Sequence, residues 1–286
     1  GRELALNGYD LKHIARLILN SHCYQRAVVP VENPEHIALF ATPIRRRMSA
    51  EQIADSLFSI SGKQFRAGDM NIDVDGSRAL TSSLNLGIPR RAWMFSSLSN
   101  ERDRPSLSLP FAQPFVTLLQ TFGWRASRQN PLTVREQEST VLQPALIANG
   151  TLSRRFTRLS DDSAFTALAL EDRSVTGLVA KVYQRTLTRP PTSEERALFV
   201  ELLSEGYADR IDREALNKPP AKLPGARTGV GWSNHLQPAA NELQVSTQEL
   251  VRQGDPPTEK LNPEWREAFE DMLWALLNSP EFMFLP

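Results

Sequence analysis

The chain is 286 residues long, 41% hydrophobic and 23% charged, with 33 basic residues balanced against 33 acidic ones. That length buries a core of one or two domains, and a zero net charge excludes a global field that would draw in nucleic acid or an anionic membrane. No apolar run approaches the roughly 18 residues of a membrane span, and the single cysteine, Cys23, excludes an internal disulfide, a cysteine-based zinc site and c-type haem attachment within the chain. The opening "GRELALNGYD" has no Met and no apolar signal core, which reads as a processed or excised piece. Of the 33 basic residues 27 are arginine. This is read as genomic composition bias, the alternative being guanidinium forks that hold buried carboxylates.

The elements in chain order are mostly helical. Asp10 is placed to cap a helix whose Leu11, Ile14, Leu17 and Ile18 form one stripe. The Asn20-Ser21 step after it should turn Tyr24 inward, and Cys23 at the apolar helix end reads as an inert core thiol. In "RRRMSAEQIADSLFSISG", Ser49 and Gln52 make a capping box, Met48 and Ile53 are spaced as a hydrophobic staple, and Gly62 supplies the stop. Residues 65–110 break the helical period with turn glycines and β-formers. They predict a loop-rich insert with a short β-hairpin.

Helical order resumes at Pro114, with Phe115, Leu118, Leu119 and Phe122 on one face and Gly123 as terminator. Residues 124–138 look irregular. A short helix follows, with Pro144 at its start or at a kink and a left-handed end at Asn149-Gly150. Ser174 caps a helix with Val175, Leu178, Val179, Val182 and Tyr183 inward. Thr192 and Glu195 form a second capping box, with Leu198 and Leu202 inward. Residues 217–231 are a Pro/Gly-rich surface segment.

Asn262-Pro263 opens the last long helix, whose stripe is Trp265, Phe269, Met272, Leu273 and Leu276. Asn278 should end it in a left-handed conformation, and Ser279 should cap a further turn begun by Pro280. Phe282, Met283, Phe284 and Leu285 would then fold back onto the core. Burial of such side chains contributes about 1.5–3 kcal/mol each. The fold class expected is mainly α, an irregular helical bundle with one loop-rich insert, in a single domain spanning 1–286 that is an N-terminally truncated piece of something larger.

The segments "GYDLKHIARLILNSHCYQ", "RRRMSAEQIADSLFSISG", "LNLGIPRRAWMFSSLSNERDRPSLSLP", "TFGWRASRQNPLTVREQESTVLQPALIANG", "LTRPPTSEERAL" and "LWALLNSPEFMF" resemble, in order and to the end of the chain, a planctomycete-type domain of unknown function. In that family the domain lies at the C-terminal end of large exported proteins, often with a cytochrome-c-like module. The resemblance implies an extracytoplasmic location (periplasmic or cell-surface), upstream domains of the same protein as partners, and haem c only in a separate module. It carries no catalytic residues across.

Three constellations could hold chemistry. Asn71, Asp73 and Asp75, followed by Gly76, occupy positions 1, 3, 5 and 6 of a calcium-loop pattern, but position 12 is Ser82 rather than a bidentate Glu and no clear entering helix precedes it; a polar turn at Asp-Gly is the preferred reading. Glu101, Arg102, Asp103 and Arg104 form either an anion clamp or an ion-pair network fastening the insert. Trp232, Asn234 and His235 have the composition of a carbohydrate contact, or of an anchored loop. "HExxH", "GxSxG", "GxxxxGK[ST]" and "GxGxxG" do not occur. The function expected is a structural or interaction domain of an exported, cytochrome-linked multidomain protein. The alternative is an enzyme domain acting on polysaccharide or another extracytoplasmic substrate, in which the 101–104 and 232–235 segments would converge in one pocket. A calcium-dependent adhesive module is the third reading.

Overall fold

The computed structural model describes residues 1–26, 46–64, 70–71, 85–87, 111, 113–124, 138–221 and 236–285, and among these it forms twelve α-helices and four short strands. The chain divides into a unit of Gly1–Arg47 with Phe284–Pro286 and a larger unit, Met48–Met283. The architecture is the mainly helical bundle expected from the sequence, with a small two-stranded element in the insert.

The smaller unit contains α1 (Arg2–Leu6), α2 (Leu11–Leu19), β1 (Arg46–Arg47) and β4 (Phe284–Leu285). The Asp10 carboxylate accepts from the Lys12 amide at 2.8 Å, so the predicted cap of α2 forms. The predicted inward stripe does not. Leu11, Leu17 and Ile18 are exposed, and neither α1 nor α2 buries any residue. Cys23 and Tyr24 are also exposed rather than core. Ser21 does cap the turn after α2, its hydroxyl accepting from the Tyr24 amide, but the turn leads the ring into solvent. β1 pairs antiparallel with β4, Arg46 opposite Leu285 and Arg47 opposite Phe284.

The larger unit runs α3 (Ala50–Ser61), β2 (Met70–Asn71), β3 (Asn85–Gly87), α4 (Gln113–Thr121), α5 (Leu142–Asn149), α6 (Thr151–Thr157), α7 (Ala164–Leu170), α8 (Val175–Thr186), α9 (Ser193–Ser204), a 3₁₀ turn at Ala215–Asn217, α10 (Ala240–Gln253), α11 (Pro263–Leu277) and α12 (Pro280–Met283). Both capping boxes form, Ser49 with Gln52 and Thr192 with Glu195, each satisfying two otherwise orphaned amides. Gly62 ends α3 at φ +70°, and Arg185 of α8 donates to the last carbonyls of α3 at Ser59 and Ile60. Gly123, at φ +91°, lets the Trp124 amide reach back to the Leu119 carbonyl and close α4. β2 and β3 pair antiparallel, Met70 opposite Gly87, as the expected hairpin.

The core lies where α6 meets α3, α4, α5 and α11, and where α9 packs on α8 and α11. Phe58 stacks on Phe115 and meets Phe156 edge-on, while Trp265 packs against Phe269 and Tyr207. The stripe of α11 is buried as expected. On α9 the inward residues are Phe199 and Leu203, not Leu198 and Leu202, which are exposed. Helices α6, α7 and α10 were not anticipated from the sequence. Gly150 is extended (φ −70°, ψ 154°) rather than left-handed, because it joins α5 directly to α6.

The C-terminal turn folds inward by a different device from the one expected. Asn278 is right-handed (φ −88°), its side chain donating to the Trp274 carbonyl. The Ser279 hydroxyl makes no cap and is buried without a hydrogen-bond partner. The turn is held by the Phe282 amide on the Ser279 carbonyl and by Glu281, whose carboxylate takes Arg189. Phe282 is buried, and Met283, Phe284 and Leu285 are half-buried.

Candidate functional site

The residues singled out from the sequence fall almost wholly outside the described part. Glu101, Arg102, Asp103, Arg104, Trp232, Asn234, His235, Asp73 and Asp75 all lie there, and Asn71 is described only as a residue of β2. Among the described residues no group of three or more His, Cys, Asp or Glu is placed to hold a metal ion, and no helix is long and apolar enough to cross a membrane.

Charged groups gather instead inside the larger unit. Lys63, just past the end of α3, has a side chain with no solvent exposure. Its ammonium donates to the carbonyls of Arg155 (2.6 Å) and Arg158 (3.0 Å) and to Asp255 Oδ2 (3.0 Å). Asp255 also takes Arg155 Nε at 3.3 Å. Burial pulls the Lys63 pKa down, opposed by the facing carboxylates of Asp255 and Asp162. All three donors of the ammonium are used, so Lys63 is a strut joining α3, α6 and the turn after α10 rather than a free nucleophile.

A second network explains two of the sequence segments quoted above. Arg189 donates to Glu195 through Nη1 and Nη2, both at 2.8 Å, and to Glu281 at 2.6 and 2.7 Å. The hydrogen bonds from Arg189 hold the Glu195 carboxyl down at about 2. The guanidinium also lies 5.4 Å from the Tyr183 ring centre. Arg210 is buried on three backbone carbonyls, those of Ala169, Tyr207 and Glu171. At Arg189, then, the arginine supplies a fork that holds two carboxylates, while Arg155 holds Asp255 through Nε.

The larger unit also holds a cavity of about 500 Å³. Its floor is apolar, with Leu57 from α3, Leu118 from α4, Ile147 from α5 and Leu152 from α6. Gln244, Gln248, Val251 and Arg252 of α10 form another part of its lining. A smaller space of about 30 Å³, room for a water molecule, adjoins it and is lined by Pro114, Thr151, Leu152 and Val251 together with Arg155 and Asp255. None of these residues formed a motif in the sequence, because they come from five separate helices.

The other notable surface is in the smaller unit, where Leu6, Tyr9, Leu11, Leu17, Ile18 and Leu19 are all exposed. No curated protein and no solved structure is significantly similar to the chain. One family does match, over residues 1–203, described as PSD1, protein of unknown function (DUF1553). The match runs from α1 to α9, so the "LWALLNSPEFMF" segment lies beyond it. The matched part is well over half of the chain, and the chain therefore belongs to this DUF1553 family, the uncharacterised C-terminal domain of large exported planctomycete-type proteins that often carry cytochrome-c modules.

Proposed function

We propose that the chain is a structural interaction domain that docks, through the apolar face of α1 and α2, against an upstream module of the same exported protein. One observation carries this reading: the apolar stripe of α2 has no fully buried member, with Leu11, Leu17 and Ile18 exposed and Ile14 only half-buried. Leu6, Tyr9 and Leu11 are each more than 70% exposed. A contiguous exposed apolar face of this kind is a partner-binding feature, and burial returns about 1.5–3 kcal/mol per large side chain. On this reading residues 1–286 act as one helical domain, with 65–110 its loop-rich insert and 217–231 a surface segment. The parent protein acts in the periplasm or at the cell surface, and haem c, where present, belongs to a separate module.

The test compares the parent protein with and without substitutions at Leu17→Asp and Ile18→Asp. Both side chains are exposed, so the melting temperature of this domain should not move. After cleavage between modules, the wild-type halves should co-elute and the variant halves should separate. Co-elution unaffected by the two aspartates refutes the docking face. Loss of parental turnover with docking intact would favour the alternative, an enzyme domain acting on polysaccharide.

A further inference from the structure

The wall of the cavity over α6 is unlike a packing defect. A helix that merely closed a core would present Leu or Ile to the apolar floor of Leu57, Leu118, Ile147 and Leu152. Helix α10 instead presents Gln244, Gln248 and Arg252 at helical spacing, with Val251 the one apolar member. Its own anchoring is slight, since its only buried residues are Ala240 and Thr247. A volume of about 500 Å³ falls within the range of small-molecule sites, which characteristically pair an apolar lining with a few convergent polar groups.

The polar groups define the ligand. Arg252 is the one charged residue among the described lining, is solvent-exposed, and makes no ion pair or hydrogen bond with any described residue. A guanidinium in that setting takes a carboxylate in bidentate fashion. Gln113 Oε1 and Ser153 Oγ belong to lining residues and are buried without a hydrogen-bond partner among the described residues, a situation that costs stability unless a donor arrives. The described lining residues include no aromatic platform for a sugar ring.

We propose that this cavity binds an amphipathic amide carboxylate, a molecule of the N-acyl amino acid class. Its acyl chain lies on the Leu57–Leu118–Ile147–Leu152 floor, its amide N–H meets the carbonyl of Gln113, and its carboxylate meets Arg252. Recognition is by binding alone and requires no covalent step. The site is independent of the α1–α2 docking face, so either can fail without the other.

The probe is N-octanoylglycine, titrated calorimetrically into the full chain beside its methyl ester, which lacks the anion, and octanoate, which lacks the amide. Saturable binding of N-octanoylglycine is expected, with the ester and octanoate each at least tenfold weaker. Arg252→Gln, an exposed substitution that leaves the fold intact, should also weaken N-octanoylglycine at least tenfold while leaving the ester unchanged. Absence of saturable binding at about 1 mM, an affinity limit of about −4 kcal/mol, overturns the proposal. Equal binding of all three probes, or indifference to Arg252→Gln, overturns it as well, since either result would mean unspecific apolar association.

Discussion

Removing the Lys63 ammonium tests the energetics of the larger unit most directly. In Lys63→Met the methylene stem keeps its packing, but the buried Arg155 carbonyl and the Asp255 carboxylate lose the ammonium, while the Arg158 carbonyl retains the Ser160 amide and Asp255 retains Arg155 Nε at 3.3 Å. Each buried acceptor that loses the charged donor costs about 1–3 kcal/mol, and the relief of ammonium desolvation offsets part of that, leaving a net loss of about 3 kcal/mol. Asp255→Asn should cost more, about 3–5 kcal/mol, because it removes the one negative charge that the buried Lys63 ammonium and the Arg155 Nε share.

Urea unfolding followed by helical circular dichroism would read both losses as a lowered midpoint at unchanged m-value. In a domain of this size about 3 kcal/mol corresponds to a melting temperature lowered by roughly 6–12 °C. The pH dependence has a definite sign. Burial depresses the Lys63 pKa below its ordinary value, so between the depressed and ordinary values the unfolded chain binds more protons. Wild-type stability therefore gains from this group as pH rises through that window, and Lys63→Met should lack the gain. A loss below about 0.5 kcal/mol for Lys63→Met, the scale of an ordinary surface substitution, would refute the assignment of the amine as a buried strut.

The Glu195 carboxyl, held at about 2 by Arg189, adds stability that is fully present above its ordinary value near 4.5 and lost as pH falls toward 2. Glu195→Gln should therefore flatten acid unfolding over that interval, and an unchanged acid profile would remove the Arg189 network from the account. Gly62→Ala forces a Cβ to 2.9 Å from the Ala164 Cβ at φ +70°, whereas Gly206→Ala, at φ +67°, meets nothing within 4 Å. The second should cost about 1–2 kcal/mol from backbone conformation alone, and the first more. Equal losses in denaturant titration would show that α3 and α7 do not approach closely at Gly62.

What could be read from the chain was local. The Ser49–Gln52 and Thr192–Glu195 boxes, the Asp10, Ser174 and Asn262 caps and the Gly62 and Gly123 stops all formed, because donor and acceptor lie within a few residues and need no partner element. The β2–β3 pairing inside the insert formed as well, between Met70–Asn71 and Asn85–Gly87. Short or polar helices escaped notice: α6 and α7 have seven residues each, and α10 has no continuous apolar stripe.

Tertiary structure decided the rest. In α9, leucines at 198, 202 and 203 flank Phe199, so periodicity alone leaves the rotation of the helix open. Packing against α8 and α11 selects Phe199 and Leu203. The stripe of α2 was legible, but not that it would stand uncovered. Lys63 gave no signal at all, since its partners lie 92 to 192 residues away in sequence. The cavity was equally silent, its floor and polar wall being drawn from five helices. Sequence spacing fixes hydrogen bonds that close within a turn; burial and charge pairing depend on which distant surfaces meet, and only the folded chain contains that information.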